Sequence, residues 1–172
     1  MFRIRDEIPE DIQAIREVNR AAFGGEDEAR LVDLLRASNC VLISQVAIEA
    51  DGRVIGHILF SPLTIETPQG ERRAAALAPM AVLPEYQKQG AGSALVRAGL
   101  DACRRQGIGA VIVVGHPGYY PRFGFSTALA RNLQSPYPDL GDAWMAVELT
   151  PGALTGVSGT VRYPEAFAML GG

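Results

Sequence analysis

The chain has 172 residues and a mass of 18.4 kDa, the size of one ordinary compact domain. Hydrophobic residues make up 48% and charged residues 20%, so a packed core is within reach and disorder is a poor description. Lys and Arg number 16 against 19 Asp and Glu, a formal charge of −3, without the basic surplus that gripping a nucleic-acid backbone requires.

The first residues, Met1-Phe2-Arg3-Ile4-Arg5-Asp6-Glu7, carry charges where a secretory leader needs an apolar core. The longest apolar run, Ala74 to Leu83, is interrupted by Pro79 and falls well short of a bilayer span. The two cysteines, Cys40 and Cys103, stand far apart in apolar or helical surroundings and are expected as buried, reduced thiols. A cytoplasmic protein that binds neither nucleic acid nor membrane is the expectation.

Arg3–Glu7 alternates charged and apolar residues as a short half-buried strand does. Pro9 opens a helical stretch that places Ile12, Ile15, Val18, Asn19 and Ala22 on one side and ends at Gly24-Gly25. Glu26–Ser38 reads as a second helix. Val41–Ala50 and Val54–Phe60, rich in β-branched residues and joined through Asp51-Gly52, read as a hairpin. The second strand is expected to break at Ser61-Pro62 and resume over Leu63–Thr67. Pro68-Gln69-Gly70 makes another turn, and Arg73–Leu83 returns as a long strand, completing an antiparallel meander.

The pattern then changes. Ala91–Gln106 is a helix with Ala94, Leu95, Ala98 and Ala102 on one stripe, closed by Gly107. Ala110–Val114 is a continuous apolar strand covered on both faces. Strand, helix and strand in that order form a right-handed parallel crossover. Tyr119–Phe123 reads as a short helix, Gly124-Phe125 as strand-like, and Ala143–Leu149 as a further strand. Prolines and glycines punctuate the rest, and no repeat or linker divides the chain.

The segment between strand and helix, Met80-Ala81-Val82-Leu83-Pro84-Glu85-Tyr86-Gln87-Lys88-Gln89-Gly90-Ala91-Gly92-Ser93, carries the chemistry. Glycines at a helix start leave backbone N–H groups accessible, and the helix dipole adds partial positive charge. That combination holds phosphate without a basic side chain; a plain tight turn is the competing reading. The P-loop pattern is absent, and a dinucleotide fold would place its glycines after the first strand. Gly156-Val157-Ser158-Gly159-Thr160 misses the hydrolase elbow at its last position.

Gln87-x-x-Gly90-x-Gly92, after Val-x-Pro-Glu-Tyr, resembles the acyl-CoA pyrophosphate loop of the GNAT acetyltransferase superfamily. Further on, His116-Pro117-Gly118-Tyr119-Tyr120-Pro121-Arg122-Phe123-Gly124-Phe125 is similar to the signature of one bacterial branch of that superfamily: His or Asp, Pro, any residue, Tyr-Tyr, two residues, Phe-Gly-Phe. The likeness covers Arg3 to about Ala128 in element order. It implies one α/β (α+β) domain over 1–172, with 126–172 as its variable C-terminal part. The sheet would be mixed and mostly antiparallel, splayed at a cofactor cleft and flanked by helices.

The resemblance further implies an N-acetyltransferase that moves an acetyl group from acetyl-CoA to an amine of a small molecule or peptide within a ternary complex. The pantetheine arm would pair with Met80, Ala81 and Val82. The pyrophosphate would lie on the amides of Lys88, Gln89, Gly90, Ala91, Gly92 and Ser93, beside Gln87. Lys88 or Arg122 could also meet a CoA phosphate. Tyr120 matches the general acid that donates to the departing sulfur, with Tyr119 as the alternative in the doublet. A phenol near pKa ~10 facing a thiol near ~8.5 implies either a depressed pKa or a hydrogen bond to the developing thiolate.

The family's base comes from varied places. His116, at the end of the buried strand, is the candidate here, against a purely structural role in the His-Pro turn. Glu26 and Glu28 fit a solvated helix face equally well, and His57 reads as a core residue. No metal is expected, and the assembly is a monomer or homodimer. An acyl-CoA-binding sensor or interaction module with little or no transferase activity would carry the same loop and stands as the alternative.

Overall fold

The computed structural model describes residues 2–169; Met1 and residues 170–172 of the expected domain lie outside the described residues. β1 (Phe2–Asp6) leads into α1 (Ile12–Phe23) and α2 (Asp27–Ala37). Pro9–Asp11 forms a 3-10 turn before α1, so the proline sets the first turn of the helical stretch. Gly24, at a left-handed φ of 71°, terminates α1. β2 (Ile43–Glu49), β3 (Val54–Thr67) and β4 (Gly70–Val82) follow as the antiparallel meander. α3 (Ala91–Arg105) then crosses to β5 (Ala110–Val114), which lies parallel to β4. β6 (Leu133–Gln134), β7 (Trp144–Glu148) and β8 (Gly159–Arg162) complete the sheet.

The strand order is β1-β2-β3-β4-β5-β7, with β8 on the far half of β3 and β6 beside β8. This is the mixed, mostly antiparallel sheet expected of the sequence. Its two faces are covered differently. A Cβ on Gly56 would stand 3.0 Å from Leu95, and one on Gly99 would stand 2.2 Å from the Phe60 ring. The even-numbered residues at the start of β3 therefore face α3. His57 points the other way, toward Asn19 of α1.

The expected break at Ser61-Pro62 does not occur: β3 runs unbroken through Pro62. The Phe60 carbonyl accepts from Leu42 on the β2 side, so the Pro62 nitrogen, two residues on, points to the same flank. β2 pairs only as far as Phe60 and β8 begins at Thr64. The missing N–H therefore falls in a gap between partners and costs no ladder bond. The irregularity lies in β4 instead. Ile58 faces Met80 and Phe60 faces Leu77, which leaves one extra β4 residue at Ala78-Pro79, a β-bulge.

Two other expectations are corrected. Gly124-Phe125 is a turn followed by a single bridge between Ser126 and Ala146, because Gly124 takes a left-handed φ of 98°. Cys40 is only half-buried, at the edge of the core, whereas Cys103 is fully enclosed.

Candidate active site

The cleft begins where β4 and β5 part. They pair at only two positions, Ala75 with Val111 and Ala76 with Ile112, while β4 stays on β3 through Val82. Beyond Ala76, residues 77–82 have no partner on the β5 side among the described residues. The Leu83 N–H donates to the Ile55 carbonyl at 2.8 Å. Antiparallel alternation then turns Ala81 toward β3 and leaves the N–H and C=O of Met80 and Val82 facing the gap. Of the three strand residues expected to meet a pantetheine arm, Met80 and Val82 present their backbone to the gap and Ala81 does not. Gln87 is already engaged: its side-chain amide donates to the Val82 carbonyl at 3.0 Å, tying the loop to the strand end.

At the mouth of the gap stands the N-terminus of α3. Lys88 and Gly90 take left-handed φ values of 64° and 94°, turning the chain sharply into the helix. No side chain caps α3, and its first turn carries no acidic residue. The first helical bond runs from the Ala94 N–H to the Gly90 carbonyl. Ala91, Gly92 and Ser93 thus keep N–H groups without an intrahelical acceptor. The amides of Ala91, Gly92 and Ser93 form the positive end of the helix dipole, and those of Lys88, Gln89 and Gly90 lie in the turn that leads into it.

The tyrosine doublet divides into two environments. The Tyr119 hydroxyl lies 3.2 Å from Ser93 Oγ, and a Cβ on Gly92 would meet it at 3.1 Å. Tyr119 therefore closes against the first turn of α3. Tyr120 is buried, edge-on to Phe125 at 5.6 Å between ring centroids. Its ring fills the space a Cβ on Gly115 would need, 2.3 Å away. Burial, reinforced by the neighbouring Tyr119, pushes the Tyr120 hydroxyl up to about 12. Of the two alternatives open from sequence, a depressed pKa or a hydrogen bond from the intact phenol, this direction agrees with the second.

His116 is exposed just past β5. Its carbonyl accepts from the amides of Tyr119, at 3.0 Å, and Tyr120, at 3.3 Å, so its backbone sets the turn that orients both rings. Glu26 is exposed and pairs with Arg20 at 2.7 Å. His57 is fully buried and satisfied, as a core histidine should be: Ser44 Oγ lies 2.9 Å from Nε2 and Asn19 Nδ2 3.3 Å from Nδ1. Burial pushes its pKa down to about 3. Sequence reasoning missed its partners, since Asn19 of α1 and Ser44 of β2 are far apart in the chain, as is Glu7, which follows β1 and bonds Ser44. Among the described residues no His, Cys, Asp or Glu gather as metal ligands, and no helix is long and apolar enough to cross a membrane.

Residues 3–128 match the acetyltransferase (GNAT) domain. Two Escherichia coli K12 proteins described as uncharacterised N-acetyltransferases are each 38% identical. YhbS matches over 95% of this chain and 97% of its own length, and YjhQ over 90% and 88%. The crystal structure of E. coli YhbS in complex with CoA superposes with a TM-score of 0.91 at 36% identity, covering 99% of this chain and 93% of that one. A GNAT acetyltransferase from Brucella melitensis, in complex with acetyl-CoA, gives 0.80 at 35% identity over 97% and 98%. The chain belongs to the GNAT family of N-acetyltransferases.

Proposed function

We propose that this protein transfers an acetyl group from acetyl-CoA directly to an amine of a small molecule or peptide. The observation that carries this reading is the unpaired edge of β4 opening onto the uncapped start of α3. A pantetheine arm has amide groups spaced for an exposed strand edge, so Met80 and Val82 receive it as a pseudo-strand. The diphosphate behind it lies on the amides of residues 88–93, where the helix dipole offsets its charge and the first turn of α3 carries no acidic residue to oppose it.

In the reaction the neutral amine attacks the thioester carbonyl carbon, a tetrahedral intermediate forms, and the C–S bond breaks with its electron pair on sulfur. Tyr120 is the hydrogen-bond donor to that sulfur. With its phenol near 12, full proton transfer to a thiolate of pKa ~8.5 is uphill by ~5 kcal/mol. Tyr120 therefore stabilises the developing negative charge by a hydrogen bond and leaves the final protonation to solvent. His116, exposed at the mouth beside the tyrosine turn, takes the proton the attacking amine must lose.

The experiment pairs two measurements. Calorimetry with CoA tests the cofactor site, and thiol release from acetyl-CoA across a panel of amines tests transfer. Binding with amine-dependent release supports the full reading. Binding with no release across the panel favours the sensor alternative.

A further inference from the structure

We propose that the sheet carries a second ligand site, a slot for a free short-chain carboxylate at the end remote from the cofactor cleft. The slot stands independently of the transfer reaction. β4 and β5 pair only at Ala75 with Val111 and Ala76 with Ile112, so the two strands part on both sides of that short ladder. The parting toward Val82 is the cofactor cleft. The parting toward the β3–β4 turn opens into a cavity of about 240 Å³, bounded by Arg72 and Arg73 of β4, by Gly109 and Ala110 where β5 begins, and by residues of the segment 150–157. That volume equals about eight waters and suits a carboxylate the size of hexanoate.

The walls and the rim together set the class of ligand. Ile65, Ala110, Leu154 and Val157 belong to one apolar cluster, and the slot is where that cluster reaches the surface. Arg72 stands opposite Ile65 in the ladder, so both side chains lie on the face where the slot opens. Arg72 is exposed and has no carboxylate partner among the described residues. The carboxylates around it are taken. Glu66 and Glu71 pair with Arg162 on the opposite face, and Glu148, across from Ala110, accepts from the Leu154 N–H at 2.8 Å. The Arg73 side chain alternates to that opposite face, but its backbone does not leave the slot. Ala75 bridges to β5, so the Arg73 N–H, two residues back, points to the same flank before β5 supplies a ladder partner. A guanidinium and a backbone N–H above apolar walls match a carboxylate head with a short hydrocarbon tail. The larger cavities beside α1, β1 and β6 have the opposite character: their linings include Glu10, Glu49 and Glu66 respectively, whereas this one includes no carboxylate.

The test is calorimetric titration of hexanoate, acetate and hexan-1-ol into the wild type, R72Q and R105Q, with and without saturating CoA, alongside amide NMR spectra. Arg105 is exposed at the far end of α3 and controls for net charge. Hexanoate should bind the wild type equally well with and without CoA, and should shift the amide signals of Arg73, Leu154 and Val157 rather than those of Gly90 and Gly92. R72Q should weaken it at least tenfold and R105Q should leave it unchanged. Acetate, which lacks the tail, and hexan-1-ol, which lacks the charge, should each bind at least tenfold more weakly than hexanoate. Neither heat nor shifts from hexanoate, equal affinity in R72Q, equal loss in R105Q, acetate or hexan-1-ol binding as tightly as hexanoate, or displacement of hexanoate by CoA would each overturn the slot. A folded protein that binds hexanoate but not CoA would refute the cofactor loop and leave the slot standing.

Discussion

Gly115 and Tyr120 share one space: a Cβ on the glycine would lie 2.3 and 2.6 Å from two carbons of the tyrosine ring. The glycine needs no unusual backbone here, so its value is purely the room it leaves. Gly115→Ala should therefore displace the ring while keeping its hydroxyl. Overpacking of this kind costs about 1–3 kcal/mol. Turnover should fall at least about tenfold because a misplaced donor loses most of its electrostatic effect. Urea denaturation and steady-state thiol release check the two halves. Unchanged turnover would mean that Tyr120 does not face the reacting sulfur.

Tyr120→Phe removes the donor without disturbing its packing. The rate should drop by about 10²–10⁴, with the KM for acetyl-CoA little changed because the pantetheine and diphosphate contacts lie elsewhere. Burial holds the phenol near 12, so the hydroxyl stays protonated throughout the working range. The wild-type pH profile should show no fall on the alkaline side up to about pH 10 from this group. A steep alkaline limb that the Phe variant lacks would contradict the hydrogen-bond role.

Most of the fold was legible because its elements have strong periodicity. The Asp51-Gly52 hairpin required no tertiary information. Of the α3 stripe read from sequence, Leu95 and Ala102 are buried and Ala94 and Ala98 only half-buried. The enclosed face runs through Val96, Gly99, Leu100 and Cys103. Pro62 was misread for a tertiary reason: proline disrupts a strand only where a neighbour needs its N–H, and the gap between β2 and β8 cannot be seen locally. β6 and β8 escaped notice because two and four residues are too short for a period. In the site, the spacing of the glycines marked a strand-to-helix turn, and its reading as an anion cradle rested on the resemblance. The division of labour between Tyr119 and Tyr120 had no local mark, since adjacent residues have equal propensities and differ only in what surrounds them.

Gly90 and Gly92 look alike in sequence but serve different physical ends, and substitution should separate them. Gly90 sits at a φ of 94°, and a Cβ there would meet no atom within 4 Å, so Gly90→Ala costs only backbone strain, ~1–2 kcal/mol. Gly92 is helical, and an alanine there is favoured by up to ~1 kcal/mol, but its methyl would stand 3.1 Å from the Tyr119 hydroxyl and 3.3 Å from Met80. Gly92→Ala should leave stability about level, and Gly92→Trp should abolish CoA binding in a folded protein. Thermal melts with and without CoA read both quantities. Retained CoA binding in Gly92→Trp would refute the loop assignment.

His57 should govern acid stability. It is enclosed by Asn19 of α1, Ser44 of β2 and, through Ser44, Glu7, whose carboxylate pairs with Arg36 at 2.7 Å. Burial first and the Arg36 charge second depress its pKa to about 3, against a smaller opposing effect of Asp11. The unfolded chain, with a histidine near ~6.5, binds a proton that the native state refuses, so stability is full above that value and drains away as pH falls toward 3. The loss between pH 7.5 and 5 should be about 2 kcal/mol. Asp11, held below the usual carboxylate range chiefly by its hydrogen bond from Arg5, contributes in the same direction. Its window lies below ~4, where an unfolded aspartate first takes up its proton. Urea midpoints at the two pH values, for the wild type and His57→Gln, isolate the imidazole. The variant should be weaker at pH 7.5, because amide geometry cannot satisfy Ser44 and Asn19 together, yet nearly flat between the two pH values. A wild type equally stable at both would mean that the histidine is protonated inside the core.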